Sequence, residues 1–312
     1  MKAVVFDKKF KPDNLSYSEV DKPVPTDNEI LIKIVAVSVN AADYRSMKMG
    51  MIPKRRIFGA DVAGRVESVG KNISLFKVGD EVIGDLSSFG FGGFAQYAVA
   101  PEKALVQKPA KLTFKEAAAL PMSAVTALQA LRDKGNIQKG QNVLIFGGAG
   151  GVGTFAIQLA KYYGAIVTAL CSTKNVEQSL LLGADYVIDY TKEDFTKNTR
   201  RYDLILAING NRRLTEYKLA LNPQGKYIMI GGSLSQIFKS LAFGWFMSLG
   251  SKKMCSLAAK SNKKDLELIV NLTENDKIKP VIDRYYSLEK VADAIRYLSE
   301  GHARGKVIIN VE

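Results

Sequence analysis

Apolar and polar residues change period twice along this chain. Up to about residue 110 the period is that of strands. Ala3–Phe6 is a short apolar run, and residues 12–29, rich in Pro, Asp and Asn, predict an irregular connection. Ile30–Val39 is β-rich and partly alternating, and Ala60–Val69 alternates until Gly70 ends it. A glycine turn feeds a strand at 81–83, and Gly90–Gly93 precedes another at 94–99. Many short strands punctuated by glycine predict a compact, barrel-like β domain. From Phe114 to Arg132 the period becomes helical, with Thr113 placed to cap at Glu116 and Pro121 interrupting. From Val143 onward strands and helices alternate, which predicts a parallel sheet with both faces covered. Expected elements are helices at 175–182, 213–221, 263–273 and 287–299, and strands at 186–188, 202–207, 226–230 and 306–311. The last strand is expected to return to the first domain.

The stretch 143–173, VLIFGGAGGVGTFAIQLAKYYGAIVTALCST, carries the clearest chemistry. Strand-length Val143–Phe146 leads into Gly147, Gly150 and Gly153 in G-x-x-G-x-x-G spacing. A helix over 154–163 follows, Gly164 stops it, and Ile166–Leu170 is a second strand. This strand-turn-helix-strand unit is the context of a dinucleotide site. Free N–H groups and the positive end of the helix dipole suit a pyrophosphate, and glycines let the backbone come close. A free ribose 2′-hydroxyl is usually held by an acid about 20 residues on. Here Cys171-Ser172-Thr173-Lys174 stands at that point and the next carboxylate is Glu177. Two hydroxyls and a lysine suit a 2′-phosphate, so NADPH is expected over NADH. Ser172 or Thr173 can also serve as a helix cap.

Composition narrows the setting. At 312 residues the chain suggests two domains. No apolar run reaches the roughly 18 residues a membrane span needs. The first residues lack a signal core, so a cytoplasmic protein is expected. Two cysteines form no disulfide framework. The formal charge of +13 favours anionic partners, but the lysines are scattered, as on a solvated surface, and functional nucleic-acid binding is not expected. Residues 234–260 include the only Trp; 241–249 could be a weak membrane-surface contact, a lid, or a dimer-contact strand, and packing or oligomer contact is the plainer reading.

Several longer stretches resemble the zinc-independent quinone oxidoreductase branch of the medium-chain dehydrogenase/reductase superfamily. They are SVNAADY at 38–44, FGADVAG at 58–64, VGDEV at 78–82, AAALPMSAVTALQAL at 117–131, GGAGGVGTFAIQLAK at 147–161, LGADYVIDY at 182–190 and GHARGKVIINV at 301–311. The resemblance covers nearly the whole chain. It implies an α/β protein: a GroES-like β-rich catalytic domain over 1–115, completed by 265–312, and a Rossmann NADP-binding domain with a doubly wound parallel sheet over 116–264. It also implies a cofactor cleft and a homodimer.

By motif match, Asn40 and Thr126 lie near the nicotinamide end, and Gly150, Gly151 and Val152 hold the pyrophosphate. Ser172, Thr173, Lys174 and Tyr190 surround the adenosine phosphate, with Gly231 and Gly232 closing the cofactor set. Each has a plainer alternative: Tyr190 as a strand-end aromatic, Asn40 and Thr126 as buried polar residues satisfied by backbone. Zinc-dependent relatives place His-Glu where this chain has Ala60-Asp61. With one histidine and two distant cysteines, no Cys/His zinc set is available, and His302 is expected at the surface or a cleft edge. A conjugated carbonyl spreads the charge that hydride transfer creates and needs a Lewis acid less than a simple ketone does. The expected reaction is therefore metal-free hydride transfer from NADPH to a quinone, with an alkenal or enone as the alternative substrate and protonation from solvent. Asn40, Asp43 and Tyr44 are the catalytic candidates; Tyr44 could donate to the developing oxyanion, and Asp43 could equally pin its loop. A reading of another class is a nucleotide-binding protein acting through RNA or a membrane surface.

Overall fold

The structure, a computed structural model, describes residues 1–6, 14–210, 212–232, 248 and 250–312. In chain order its strands are β1 (Lys2–Phe6), β2 (Leu15–Glu19), β3 (Ile30–Val39), β4 (Asp61–Val69), β5 (Glu81–Asp85), β6 (Tyr97–Ala100), β7 (Leu105–Gln107), β8 (Asn142–Phe146), β9 (Ile166–Cys171), β10 (Tyr186–Asp189), β11 (Tyr202–Ile208), β12 (Leu221–Ile230), β13 (Lys253–Ser256), β14 (Ile282–Ser287) and β15 (Lys306–Asn310). The helices are α1 (Ala41–Lys48), α2 (Phe114–Ala118), α3 (Pro121–Gln129), α4 (Gly151–Tyr162), α5 (Val176–Leu181), α6 (Leu214–Ala220), α7 (Lys263–Glu274) and α8 (Val291–Ser299). The chain divides into two compact units, Met1–Val125 with Lys260–Glu312, and Thr126–Ala259.

The first unit is built on a seven-stranded sheet ordered β14-β15-β3-β4-β5-β7, with β6 also on β3. Strand β3 pairs antiparallel with β4, β6 and β15, so it is covered on nearly every side and reads as a continuous apolar run. Strand β15 joins there from the far end of the chain, Val307 opposite Val39, as expected for the returning strand. Helix α2 starts as the sequence predicts: Thr113 Oγ1 accepts from Glu116 N (3.3 Å), and the Glu116 carboxylate accepts from Thr113 N (2.9 Å). Pro121 becomes the first residue of α3 rather than a break within a helix, a position where its missing N–H costs nothing.

Four elements depart from the expectations. Strand β2 lies in the stretch expected to be irregular; it pairs with β1, Phe6 opposite Leu15, and is largely exposed, so it has no apolar periodicity to betray it. Helix α1 is short and of mixed character and was not expected. Strands β13 and β14 also escaped, being four and six residues of mostly half-buried or exposed side chains. Of the segment 241–249, only Ser248 falls within the described residues.

The second unit holds a six-stranded parallel sheet ordered β10-β9-β8-β11-β12-β13. Numbered within the unit this is 3-2-1-4-5-6, with the reversal between β8 and β11, the doubly wound arrangement that binds nucleotides beyond its strand C-termini. Helix α4 buries Phe155, Ile157 and Leu159, and Gly164 ends it at φ +77°.

Candidate functional site

In the second unit, the residues assigned to the dinucleotide gather at the C-terminal ends of the parallel strands. Gly147–Gly153 links β8 to α4, Ser172–Lys174 follows β9, Tyr190 follows β10, and Gly231-Gly232 follows β12. The glycines of the first turn are not equivalent. Gly147 has φ +69°, and a Cβ there would lie 2.7 Å from Ile208 O. A Cβ at Gly153 would lie 2.1 Å from Gly147 O. The fold itself demands both. Gly150 has φ −78°, open to any residue, and its nearest would-be contact is at 3.6 Å. The packing does not require a glycine here, though glycine is favoured at an N-cap. Gly150 is the N-cap of α4 and no side chain caps that helix. The Gly151 and Val152 amides therefore belong to an uncapped first turn, which suits a diphosphate.

After β9 the hydroxyls are partly engaged. Ser172 Oγ accepts from Asn175 Nδ2 (3.2 Å), and Thr173 Oγ1 donates to Asp189 Oδ2 (2.5 Å). Asp189, at the end of β10, also accepts from the Thr191 hydroxyl and amide, and its carboxyl is held below the usual range chiefly by the Thr173 bond. Sequence spacing did not single out this acid, because it is brought beside Thr173 by strand pairing: Asp189 is in register with Cys171. Lys174 and Tyr190 are exposed. Thr126 is buried in α3, at the start of this unit.

The first unit contains a different kind of site. Asn40, Asp61, Ser123 and Lys306 meet in its interior, drawn from the β3–α1 junction, the start of β4, α3 and β15. The Lys306 side chain is 2% exposed. Its ammonium donates to Asn40 Oδ1 (2.6 Å) and Ser123 Oγ (2.9 Å), and lies 3.4 Å from Asp61 Oδ2. Asp61 Oδ2 also accepts from Ser38 Oγ (2.9 Å) and Asn40 Nδ2 (2.9 Å), while Oδ1 accepts from Met122 N (3.0 Å). The second hydrogen of the Asn40 amide goes to Ser38 O (3.3 Å). Lysine donates and never accepts, so it fixes which way this amide faces. Both amide hydrogens of Asn40 are used inside the unit.

Asp43 is fully buried beside this cluster and caps α1: Oδ2 accepts from Asn40 N (2.8 Å) and Oδ1 from Gly59 N (3.2 Å). Tyr44 is half-buried against the core, with Arg45 and Lys48 each 5.7 Å from its ring centre. Of the three catalytic candidates, the structure thus joins Asn40 and Asp43 in one interior network and leaves Tyr44 at its edge. Lys306, Asp61 and Ser123 were not singled out as functional from sequence. The available signal was a lysine opening an otherwise apolar strand, KVIIN.

Burial dominates the electrostatics. It pushes the Asp43 carboxyl up to about 7, against the pull of the Asn40 and Gly59 amides, with Asp61 adding to the rise. Asp85, at the end of β5, is raised to about 6 by burial and then by Asp61. Burial lowers the Lys306 ammonium, and the charge of Asp61 opposes that.

With this geometry in place, known proteins supply the comparison. Residues 26–110 match a family described as alcohol dehydrogenase GroES-like domain, and residues 182–309 one described as zinc-binding dehydrogenase. The chloroplast envelope quinone oxidoreductase homolog of Arabidopsis thaliana is 36% identical over 310 residues, 95% of this chain and 93% of that one. The chain belongs to the quinone oxidoreductase branch of the medium-chain dehydrogenase/reductase superfamily. It is an oxidoreductase of that superfamily, with a GroES-like domain and a Rossmann-like parallel sheet. The NADPH-dependent alkenal/one oxidoreductase of the same plant is 33% identical over 306 residues, 94% of this chain and 74% of that one. A solved quinone oxidoreductase from Coxiella burnetii superposes with a TM-score of 0.89 at 29% identity, covering 100% of this chain and 99% of that one.

The zinc in the second family description finds no donor set among the described residues: no three His, Cys, Asp or Glu side chains cluster to hold a metal. His302 is exposed, and Cys171 and Cys255 are free thiols.

Two outcomes follow. Lys306→Met leaves Asp61 buried without its cation and is expected to cost about 3–5 kcal/mol in chemical denaturation, with Asp61→Asn/Lys306→Met recovering at least half; additive losses would contradict the pairing. The raised carboxyls bind protons more tightly folded than unfolded. Their stabilising contribution is full below the unfolded value of 3.8 and lost as pH rises through about 6 and 7. Thermal unfolding between about pH 4 and 7 should show stability falling as pH rises, with a shallower slope in Asp43→Asn; an unchanged slope would remove Asp43 from this account.

Proposed function

We propose that this protein is an NADPH-dependent reductase of quinones that transfers hydride without a metal. The observation that carries the metal-free part is the saturation of Asp61. Its two oxygens accept from Ser38, Asn40 and Met122 and face the Lys306 ammonium. The acid that stands beside Ala60, at the position of the His-Glu pair of zinc-dependent relatives, is thus already neutralised by a protein cation.

NADPH, when bound, supplies the hydride. In this reading the Gly151 and Val152 amides, with Gly150 leaving them open, hold its diphosphate, and Ser172 and Lys174 face its 2′-phosphate, while the Thr173 hydroxyl is spent on Asp189. Lys174 gives the charge preference. Asp189, occupied by Thr173 and Thr191, fixes the Thr173 hydroxyl rather than accepting from a ribose. Tyr190 covers the adenosine, Gly231 and Gly232 line the end of β12, and Thr126 attends the nicotinamide; Asn40, its amide spent on Ser38, Asp61 and Lys306, makes no direct cofactor contact in this reading. Asn40 and Asp43 act as positioning residues, Asp43 by fixing the start of α1. Tyr44, at the solvent side of that network, remains the donor toward a developing oxyanion. A conjugated substrate needs little more, because its charge is delocalised and orientation supplies much of the rate.

An alkenal or enone is the second substrate reading, favoured by the likeness to the alkenal/one oxidoreductase. In this reading the catalytic domain, expected over 1–115 with 265–312, is the first unit, Met1–Val125 with Lys260–Glu312, and the NADP-binding domain, expected over 116–264, is the second, Thr126–Ala259. A homodimer is part of it, with β13 at one edge of its sheet among the described residues. A reducing, cytoplasmic setting accords with two unpaired thiols.

Steady-state assays with quinone and enone panels test the activity; consumption of NADPH with neither class would end this reading. Lys174→Ala should weaken NADPH binding by more than about tenfold and leave NADH nearly unchanged, measured by fluorescence titration; equal effects would reject the 2′-phosphate role. Gly150→Ala should keep the melting temperature and weaken both dinucleotides, whereas Gly153→Ala should lower the melting temperature by several degrees. A Gly150→Ala protein that binds normally would remove the diphosphate from this turn.

A further inference from the structure

Of the exposed large apolar side chains, three fall within four residues. Met49, Met51 and Ile52 are 61%, 45% and 51% exposed, and no other four-residue window among the described residues carries three. They follow α1 in a turn that is built rather than loose. Met49 N donates to Arg45 O, Gly50 N to Met47 O and Met51 N to Ser46 O, each at 2.9–3.0 Å. Beyond them Arg56 N donates to Pro53 O, and Arg56 O accepts from Phe6 N (2.7 Å). Met47, Pro53 and Ile57 are buried and anchor the base. At the tip, a Cβ on Gly50 would meet nothing within 4 Å.

The charge on this turn has one sign. Arg45, Lys48, Lys54, Arg55 and Arg56 lie between Asp43 and Asp61 with no carboxylate among them. Lys48, Lys54 and Arg55 are exposed. A protruding tip of flexible apolar side chains flanked by cations suits an interface with apolar interior and anionic surface. A second copy of this turn would be repelled. A nucleic acid would find cations but no exposed aromatic ring in the turn to stack on.

We propose that the turn 48–55 docks the protein on an anionic lipid surface, with Met49, Met51 and Ile52 entering the headgroup region and Lys48, Lys54 and Arg55 meeting lipid phosphates. This goes beyond the assigned chemistry and does not rest on it. A chain that failed as a quinone reductase could still pass the following test.

Purified full-length protein is sedimented with vesicles of phosphatidylcholine alone and with vesicles doped with phosphatidylglycerol, at low and high salt. The wild type should pellet with doped vesicles at low salt and little with neutral ones. Lys54→Gln/Arg55→Gln should lower the partition coefficient on the order of 20-fold, about fivefold per charge. Ile52→Asp should lower it roughly tenfold by loss of apolar burial and an added negative charge. Lys71→Gln/Lys77→Gln, which removes as much charge elsewhere, should change it less than about twofold. Circular dichroism melts matching the wild type establish that the variants are folded. Equal pelleting of wild type and the turn variants would overturn the proposal, as would indifference to phosphatidylglycerol. So would tighter binding to polyuridylic acid than to doped vesicles with no effect of Ile52→Asp, which would assign the cations to a polyanion.

Discussion

The buried ammonium of Lys306 ties together distant parts of the first unit. Lys306 reaches the interior from the last strand and finds Asn40, Ser123 and Asp61, which come from three other parts of the chain. A lysine taken from water without partners would be severely unfavourable or would lose its proton. The partners therefore must be present together, and β15 must lie against β3, before the unit is satisfied. The discontinuous domain is held by this polar requirement as well as by the apolar faces of β3, β4 and β15. A buried ion pair is weak evidence for added stability, but breaking it is costly, so it specifies one arrangement strongly.

The same cluster bears on chemistry. Asp61 has its oxygens filled by protein donors, and the Asn40 amide is oriented by a group that can only donate. Asp43 holds the start of α1 with two amide bonds, in a setting so dry that its carboxyl titrates near neutrality. Of the three residues that the motif match singles out, Asn40 and Asp43 share an interior hydrogen-bond network, and Tyr44 packs half-buried against the core. In the second unit a similar division separates glycines that the turn requires, Gly147 and Gly153, from Gly150, which the packing leaves free to carry a side chain.

What was legible in the sequence follows from what leaves a one-dimensional trace. Strand β3 and the β8–α4–β9 unit are fully covered by neighbours and show it as apolar runs and helical spacing. The return of β15 was legible from the crossing helix that precedes it, although the sheet then taken as complete lacked β13. Strand β2 left no trace, since its stability comes from backbone pairing with β1 while its side chains face water. Helix α1 is held by the Asp43 cap and by the burial of Met47 more than by any amphipathic stripe. Asp189 and Lys306 were missed for one shared reason: each acquires its role from a neighbour in register or in space, Asp189 from Thr173 across adjacent strands and Lys306 from residues some 180 to 270 positions away. The glycine spacing located the turn between β8 and α4, but neither it nor the family resemblance said anything of these partners.

The cation that faces Asp61 is Lys306 of the protein itself, and in the proposed reading no metal takes part in hydride transfer. Elemental analysis of the purified, untreated protein, paired with its NADPH-driven quinone reduction before and after exhaustive chelation, tests this most directly. The expected result is far less than one metal ion per chain and activity unchanged by chelation. Stoichiometric zinc whose removal abolishes turnover would contradict it.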